Sequence, residues 1–146
     1  MASNMENGII AVIPAYREEI AIGSVVLKAR KHVDRVIVVD DGSPDRTAEV
    51  AELAGAEVIR LDRNYGKAYA LMRGFERAME LDCSVVVMLD GDGQHNPDEI
   101  PQIVAPVLKG EADLVIGSRF LDDRGGIPRY RILGQKILTF ATNFGS

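Results

Sequence analysis

Apolar residues along the chain fall into short runs that alternate with segments of helical spacing. Gly8 to Ile13 is a continuous apolar run closed by Pro14, the pattern of a parallel strand covered on both faces. From Glu18 to His32 the apolar positions Ile22, Val25, Val26 and Ala29 recur on one helical face. Arg35 to Val39 predicts a second strand, broken by Asp40-Asp41-Gly42. Ser43-Pro44 reads as an N-cap with proline in the first helical position, opening a helix that runs to Ala54 and stops at Gly55. Glu57 to Leu61 is the next strand. Lys67 to Leu81 is a helix with Ala70, Leu71, Gly74, Phe75 and Ala78 inward, and Ser84 to Leu89 is the most apolar strand. Asn96-Pro97-Asp98-Glu99 has the cap, proline and acidic residues of a helix start. Leu114 to Ile116 is the heart of a fifth strand, Gly125 to Pro128 a loop, and Arg131 to Phe144 a final helix.

Strands alternating with helices predict an α/β domain, a mostly parallel sheet flanked by helices on both faces. Right-handed crossovers align the C-terminal ends of its strands along one edge, where ligands bind in such sheets. The unusual polar residues follow the strands at that edge. They are Pro14-Ala15-Tyr16-Arg17-Glu18-Glu19, Asp40-Asp41-Gly42-Ser43, Asn64-Tyr65-Gly66-Lys67, Asp90-Gly91-Asp92-Gly93-Gln94-His95 and Gly117-Ser118-Arg119.

Asp90 and Asp92 carry the strongest signal. Residues two apart on an extended segment project to one side, and two adjacent carboxylates repel unless a cation lies between them. Oxygen ligands suit magnesium or manganese, which complete their shell with water and substrate phosphates. The plain alternative is a turn with solvated aspartates, but five apolar residues, Val85 to Leu89, precede the motif and favour the metal. Asp41 is either a turn residue or an acceptor for a ligand's base or ribose. Tyr16 can stack or donate a hydrogen bond. Lys67 opposes the dipole of the helix it starts, which disfavours a bland surface role. Arg119 can fork onto a phosphate or form a simple salt bridge. His95 reads as a cap or turn residue, and Cys83 as a core thiol.

Composition narrows the class. The 146 residues make about one domain, and 47% hydrophobic with 27% charged residues supports a core. A net charge of −5 with no basic block argues against nucleic acid as a partner. A lone cysteine allows no internal disulfide and fits a reducing compartment. No apolar run is long enough to span a membrane, and Met1 to Gly8 has no signal-peptide character. Neither a Gly-x-Gly-x-x-Gly turn nor a Walker phosphate loop is present, which weakens dehydrogenase and P-loop readings.

The succession of strand-end motifs resembles the family-2 glycosyltransferases, closest to the branch of dolichol-phosphate mannose synthases and other polyprenyl-phosphate sugar transferases. It covers the chain from about Ile9 to Asn143. The resemblance implies a GT-A fold, a Rossmann-like nucleotide-diphospho-sugar transferase architecture. It also implies a nucleotide-diphosphate sugar donor (GDP- or UDP-linked), Mg2+ or Mn2+, and inversion at the sugar carbon. Pro14, Tyr16, Glu18, Val39 and Asp41 match nucleoside contacts, with Lys67 beside them. Asp90 and Asp92 match the metal-binding Asp-x-Asp, with Gly91 and Gln94 in the same donor loop and Gln94 a further metal ligand. Asp92, Arg119 and Arg131 are the expected catalytic residues, the arginines approaching phosphates. Arg17 stands where the family often has asparagine, Ala68 where glycine is frequent, and Gly91 where many relatives have alanine.

The function these matches imply is transfer of a sugar to a polyprenyl phosphate at the cytoplasmic face of a membrane, in cell-envelope or protein glycosylation. Transfer to a saccharide hydroxyl is the second reading, and an inactive donor-binding module the third. Residues 1–8 are expected to be disordered or vector-derived. Residues 9–146 are expected to be the donor-binding part of a catalytic domain truncated at its C-terminus. The final helix, with Ile132, Leu133, Ile137, Leu138 and Phe140 among basic residues, is expected to cover a sheet face, a membrane surface being the alternative.

Overall fold

A computed structural model of the chain describes residues 8–81, 83, 85–93, 96–102, 104, 114–115 and 136–139. Six parallel strands form one sheet in the order β3-β2-β1-β4-β6-β5. In chain order these are β1 (Ile9–Ala15), α1 (Ile22–Arg30), β2 (Arg35–Asp40), α2 (Thr47–Leu53), β3 (Glu57–Arg60), α3 (Lys67–Glu80) and β4 (Val85–Met88). A 3-10 turn at Pro97–Glu99, β5 (Leu114–Val115) and β6 (Lys136–Thr139) follow.

Period-two alternation divides the apolar residues between the two faces of the sheet. Ala11, Ile13, Val36, Val38, Val85 and Val87 pack with Ile22, Val25 and Val26 of α1 and with Ala51 of α2. Ile10, Val12, Ile37, Val39, Val86 and Met88 meet Ala70, Leu71, Phe75 and Ala78 of α3. The predicted inner faces of α1 and α3 are therefore the buried ones. Burial of Phe75, 1% exposed, contributes about 2–3 kcal/mol. Gly74 lets α3 lie close to the sheet, since a Cβ there would come within 2.4 Å of Val12 Cγ1 and 3.0 Å of Val39 Cγ2.

The sheet grows outward from β1 through β2 to β3, then returns to β4 on the other side of β1. That reversal is the position where doubly wound sheets bind ligands. Pro14 occupies a backbone position facing β4 just past the end of their ladder, whose last pair is Val12 with Met88. Its missing N–H therefore leaves no sheet bond unmade.

Three expected elements differ. Ser43 does not cap α2: its Oγ accepts from the Arg17 N–H, and the helix starts at Thr47, whose N–H donates to Asp45. The serine is drawn into a bond between loops. α1 starts at Ile22, because Glu18 to Ala21 is a turn in which the Glu18 carbonyl accepts from Ala21 and Ile22. The predicted final helix is overturned where it is described: residues 136–139 are a strand between β4 and β5. A short apolar run has no decisive period. The buried backbone of β4 needs a partner on the side away from β1, and β6 provides it. Residues 131–135 and 140–144, over which the rest of the predicted helix and its membrane-surface alternative extend, lie outside the described residues.

Candidate functional site

Past the C-terminal ends of β1, β2 and β4 lies a cleft of about 290 Å³. Pro14, Ala15, Tyr16, Glu18, Asp41, Asn64, Gly66, Lys67, Asp90, Gly91 and Asp92 line it.

One wall is built around Asp41, which is 4% exposed. Its carboxylate accepts from the Tyr65 N–H at 2.8 Å, the Gly66 N–H at 2.9 Å and Asn64 Nδ2 at 3.1 Å. The β3–α3 loop is thus folded over the end of β2. Gly42 makes room for it: its φ is +76°, and a Cβ would come within 2.3 Å of the Arg63 carbonyl carbon. Tyr65 stacks on Tyr69 with ring centroids 4.5 Å apart, and its hydroxyl donates to Asp62 at 2.7 Å. Asp40 turns back to accept from the Ser43 N–H.

The loop after β1 is tied to the same wall by its backbone. The Arg17 N–H donates to Ser43 Oγ at 2.9 Å and the Glu18 N–H to Thr47 Oγ1 at 2.8 Å. Arg17 sits at φ 56°, the left-handed region that asparagine tolerates better than arginine. The guanidinium of Arg17 lies 5.4 Å from the Tyr16 ring centre.

The opposite wall carries charge. Asp90, 3% exposed, pairs with Lys67 Nζ at 2.7 Å, and the lysine side chain is 38% exposed. Asp92 is half-buried. Burial pushes the Glu18 carboxyl above its ordinary range, and the charges of Asp92, Asp45 and Asp90 push it the same way, with Lys67 opposing. Gly91 packs against β1: a Cβ would lie 3.2 Å from the Pro14 carbonyl oxygen and 3.3 Å from Ala15 Cβ. Alanine there needs a shift of a few tenths of an ångström.

The donor set fits a hard divalent ion that keeps open positions. Among the described residues no three of His, Cys, Asp and Glu come together as a metal-ligand group. Two carboxylates in a cleft suit an ion that takes its other ligands from water and substrate phosphate. A cation already stands on Asp90, in the form of the Lys67 ammonium.

The structure thus brings Pro14, Tyr16, Glu18, Asp41, Lys67, Asp90, Gly91 and Asp92 into one cleft. It does not bring the Val39 side chain there: Val39 is fully buried beneath α3, under Gly74. Gln94, His95, Arg119 and Arg131 lie outside the described residues. Cys83 is a core thiol, 2% exposed, donating to the Ala78 carbonyl. Sequence reasoning undervalued Asn64, which braces Asp41, and Thr47, fully buried, whose hydroxyl holds the Glu18 backbone. The Asn64-Tyr65-Gly66 motif signalled the first, whereas nothing local signalled the second.

The model of a family described as glycosyl transferase family 2 matches residues 10–144. A UDP-N-acetylglucosamine–dolichyl-phosphate N-acetylglucosaminyltransferase of Methanococcus voltae is 32% identical over 92% of this chain and 61% of its own length. An undecaprenyl-phosphate 4-deoxy-4-formamido-L-arabinose transferase of Pseudomonas fluorescens is 38% identical over 68% of this chain and 32% of its own. The chain therefore spans less than two thirds of these relatives. Among solved structures, glucosyl-3-phosphoglycerate synthase from Mycobacterium tuberculosis, in complex with Mn2+, UDP-glucose and phosphoglyceric acid, superposes with a TM-score of 0.62. It is 29% identical, over 80% of this chain and 47% of that one. A match that starts at the second residue of β1 and runs to residue 144, on a sheet with its polar residues gathered at one edge, makes this chain a member of glycosyl transferase family 2 with a GT-A fold.

Proposed function

We propose that the chain is the donor-binding part of an inverting, metal-dependent glycosyltransferase that moves a sugar from a nucleotide-diphosphate sugar to a polyprenyl phosphate. The observation that carries this reading is the cleft at the β1/β4 reversal, where Asp90 and Asp92 stand across from the Asp41-braced wall. Tyr16 and Asp41 lie where a nucleoside would be held, and Asp90 and Asp92 where its diphosphate would meet a cation. Bound there, Mg2+ or Mn2+ supplies Lewis-acid stabilisation of the departing diphosphate. Lys67 adds positive charge in the same cleft. A phosphate acceptor is already an anion at neutral pH, so its attack needs no strong general base. Arg119 and Arg131 are proposed as further phosphate-binding groups.

The lipid acceptor is supported by the relatives named for dolichyl and undecaprenyl phosphate. Such an acceptor implies work at the cytoplasmic face of a membrane. Among the described residues no helix is long and apolar enough to cross one. A second reading, transfer to a hydroxyl, is favoured by the structural likeness to glucosyl-3-phosphoglycerate synthase with phosphoglyceric acid.

The donor reading is tested by thermal shift with UDP- and GDP-sugars, with and without Mn2+, on wild type and Asp92→Ala. Stabilisation by one nucleotide series that needs Mn2+ and Asp92 is expected; equal shifts in both proteins sink the metal role. On the full-length gene product, incorporation of label into polyprenyl phosphate rather than an oligosaccharide or phosphoglycerate decides the acceptor.

A further inference from the structure

We infer that Lys67 is a resident counter-cation of Asp90, which a divalent ion must displace and which a nucleotide diphosphate draws away. The inference deepens the proposed donor site and rests on it.

The starting observation is that Asp90 is a carboxylate 3% exposed at the end of an apolar strand, with the Lys67 ammonium 2.7 Å away. A charge so buried is costly unless paired, and the Lys67 ammonium is a partner it has in the absence of metal. Lys67 differs from the Asp41 donors in its freedom. It is the first residue of α3, its stem is long, and its side chain is 38% exposed, so the ammonium can leave without moving the helix. Magnesium needs carboxylate oxygens at about 2.0–2.1 Å. A dication at that distance and an ammonium on Asp90 Oδ1 repel each other, so the two compete for one carboxylate. Glu18, Asp41 and Asp92, the other acidic groups lining the cleft, keep the region negative once the ammonium departs. A diphosphate entering the cleft offers Lys67 a new anionic partner and frees Asp90 for the metal. Metal and nucleotide then bind together more tightly than either binds alone, and linkage makes that coupling reciprocal.

The test measures Mn2+ binding from loss of the free-ion EPR signal. It compares wild type with Lys67→Met, Lys67→Gln and Lys67→Arg, without nucleotide and with UDP and GDP in parallel. Nucleotide binding in EDTA is measured on the same proteins. Lys67→Met should bind Mn2+ alone on the order of tenfold more tightly than wild type, within the usual range of such couplings. It should bind the nucleotide alone more weakly, and the gain in Mn2+ affinity on adding nucleotide should shrink. Lys67→Arg keeps the charge and should stay close to wild type. Lys67→Gln, which still offers Asp90 a donor, carries the test if the methionine variant does not fold. A purely structural role would not move the two affinities in opposite directions. Unchanged or weaker Mn2+ binding in both neutral variants, while wild type binds Mn2+ with nucleotide, overturns the inference alone. No Mn2+ binding by wild type with either nucleotide overturns the donor-site reading, and this inference with it.

Discussion

Asp41 and Asp90 follow parallel strands on either side of β1, both almost fully buried, yet their carboxylates are used in opposite ways. Asp41 accepts from two backbone N–H groups and the Asn64 amide, all on the β3–α3 loop. Asp90 is paired with the end of a half-exposed lysine side chain. The first arrangement is fixed, since moving Asp41 means unfolding the loop that forms the wall. The second is exchangeable, since an ammonium on a flexible stem can yield to another cation. Burial alone does not distinguish a carboxylate locked by its loop from one held by the end of a flexible side chain; the kind of partner does.

The sharpest way to break this comparison is to remove each carboxylate in turn. Asp41→Ala strips three hydrogen bonds from a half-exposed loop and should cost about 2 kcal/mol, because water replaces part of what is lost. Urea denaturation reads that cost, and nucleotide affinity should fall with it as the wall loosens. Asp90→Asn should behave in the reverse way. It removes a buried charge together with its need for a partner, so stability should stay within about 1 kcal/mol of wild type. The Mn2+-dependent part of nucleotide affinity should fall about tenfold, equivalent to about 1.4 kcal/mol. If Asp90→Asn proves the more destabilising, the division between fixed and exchangeable carboxylates is wrong.

A smaller effect tests the loop that joins the two walls. Residues 16–18 are stitched to the Asp41 side through Ser43 and Thr47, and Arg17 sits at φ 56° to make that possible. A non-glycine residue in the left-handed region costs about 1–2 kcal/mol, and asparagine relieves part of it. Arg17→Asn forfeits an exposed cation–π contact worth about 0.5–1 kcal/mol. The net gain should be about 0.5 kcal/mol, seen as a raised melting temperature with nucleotide affinity unchanged. A loss of stability would mean that the arginine side chain, not the backbone, holds the loop.

Much of this arrangement is legible in the sequence. The inner face of α3 follows from its spacing, and the division of β1 and β2 between two cores follows from alternation. The motifs after β1, β2, β3 and β4 contribute residues to one cleft, and Gly117-Ser118-Arg119 lies outside the described residues. What the sequence hides is how polar groups are shared. Asp41 reads first as a turn residue and second as a ligand contact, and nothing local shows that the β3–α3 loop folds onto its carboxylate at the wall of the cleft. Ser43 has every local mark of an N-cap, yet a bond across to Arg17 takes it. Residues 136–139 carry too few apolar positions to choose a period, and the unpaired side of β4 chooses for them. For Ser43 and for residues 136–139, a long-range partner overrides a local preference.

The gentlest probe is Glu18, whose backbone belongs to the fixed wall and whose carboxyl faces the exchangeable one. Burial first, and then the Asp92, Asp45 and Asp90 charges, raise its pKa in the folded state above the ordinary 4.5. The folded protein therefore holds this proton more tightly than the unfolded chain does. The penalty is absent where both states are protonated and grows as pH rises from the unfolded value through the folded one. Glu18→Gln removes the charge that bears the penalty. The variant should melt slightly above wild type near neutral pH, and the gap should close on acidification below the ordinary carboxylate value. Saturating Mn2+ should narrow the gap at neutral pH, because a cation beside Asp90 and Asp92 offsets the crowding that raises Glu18. A gap that widens on acidification would mean that folding lowers the Glu18 pKa, the reverse of what burial among these carboxylates does. A gap indifferent to Mn2+ would detach Glu18 from the exchangeable side of the cleft and leave it, like Asp41, part of the frame.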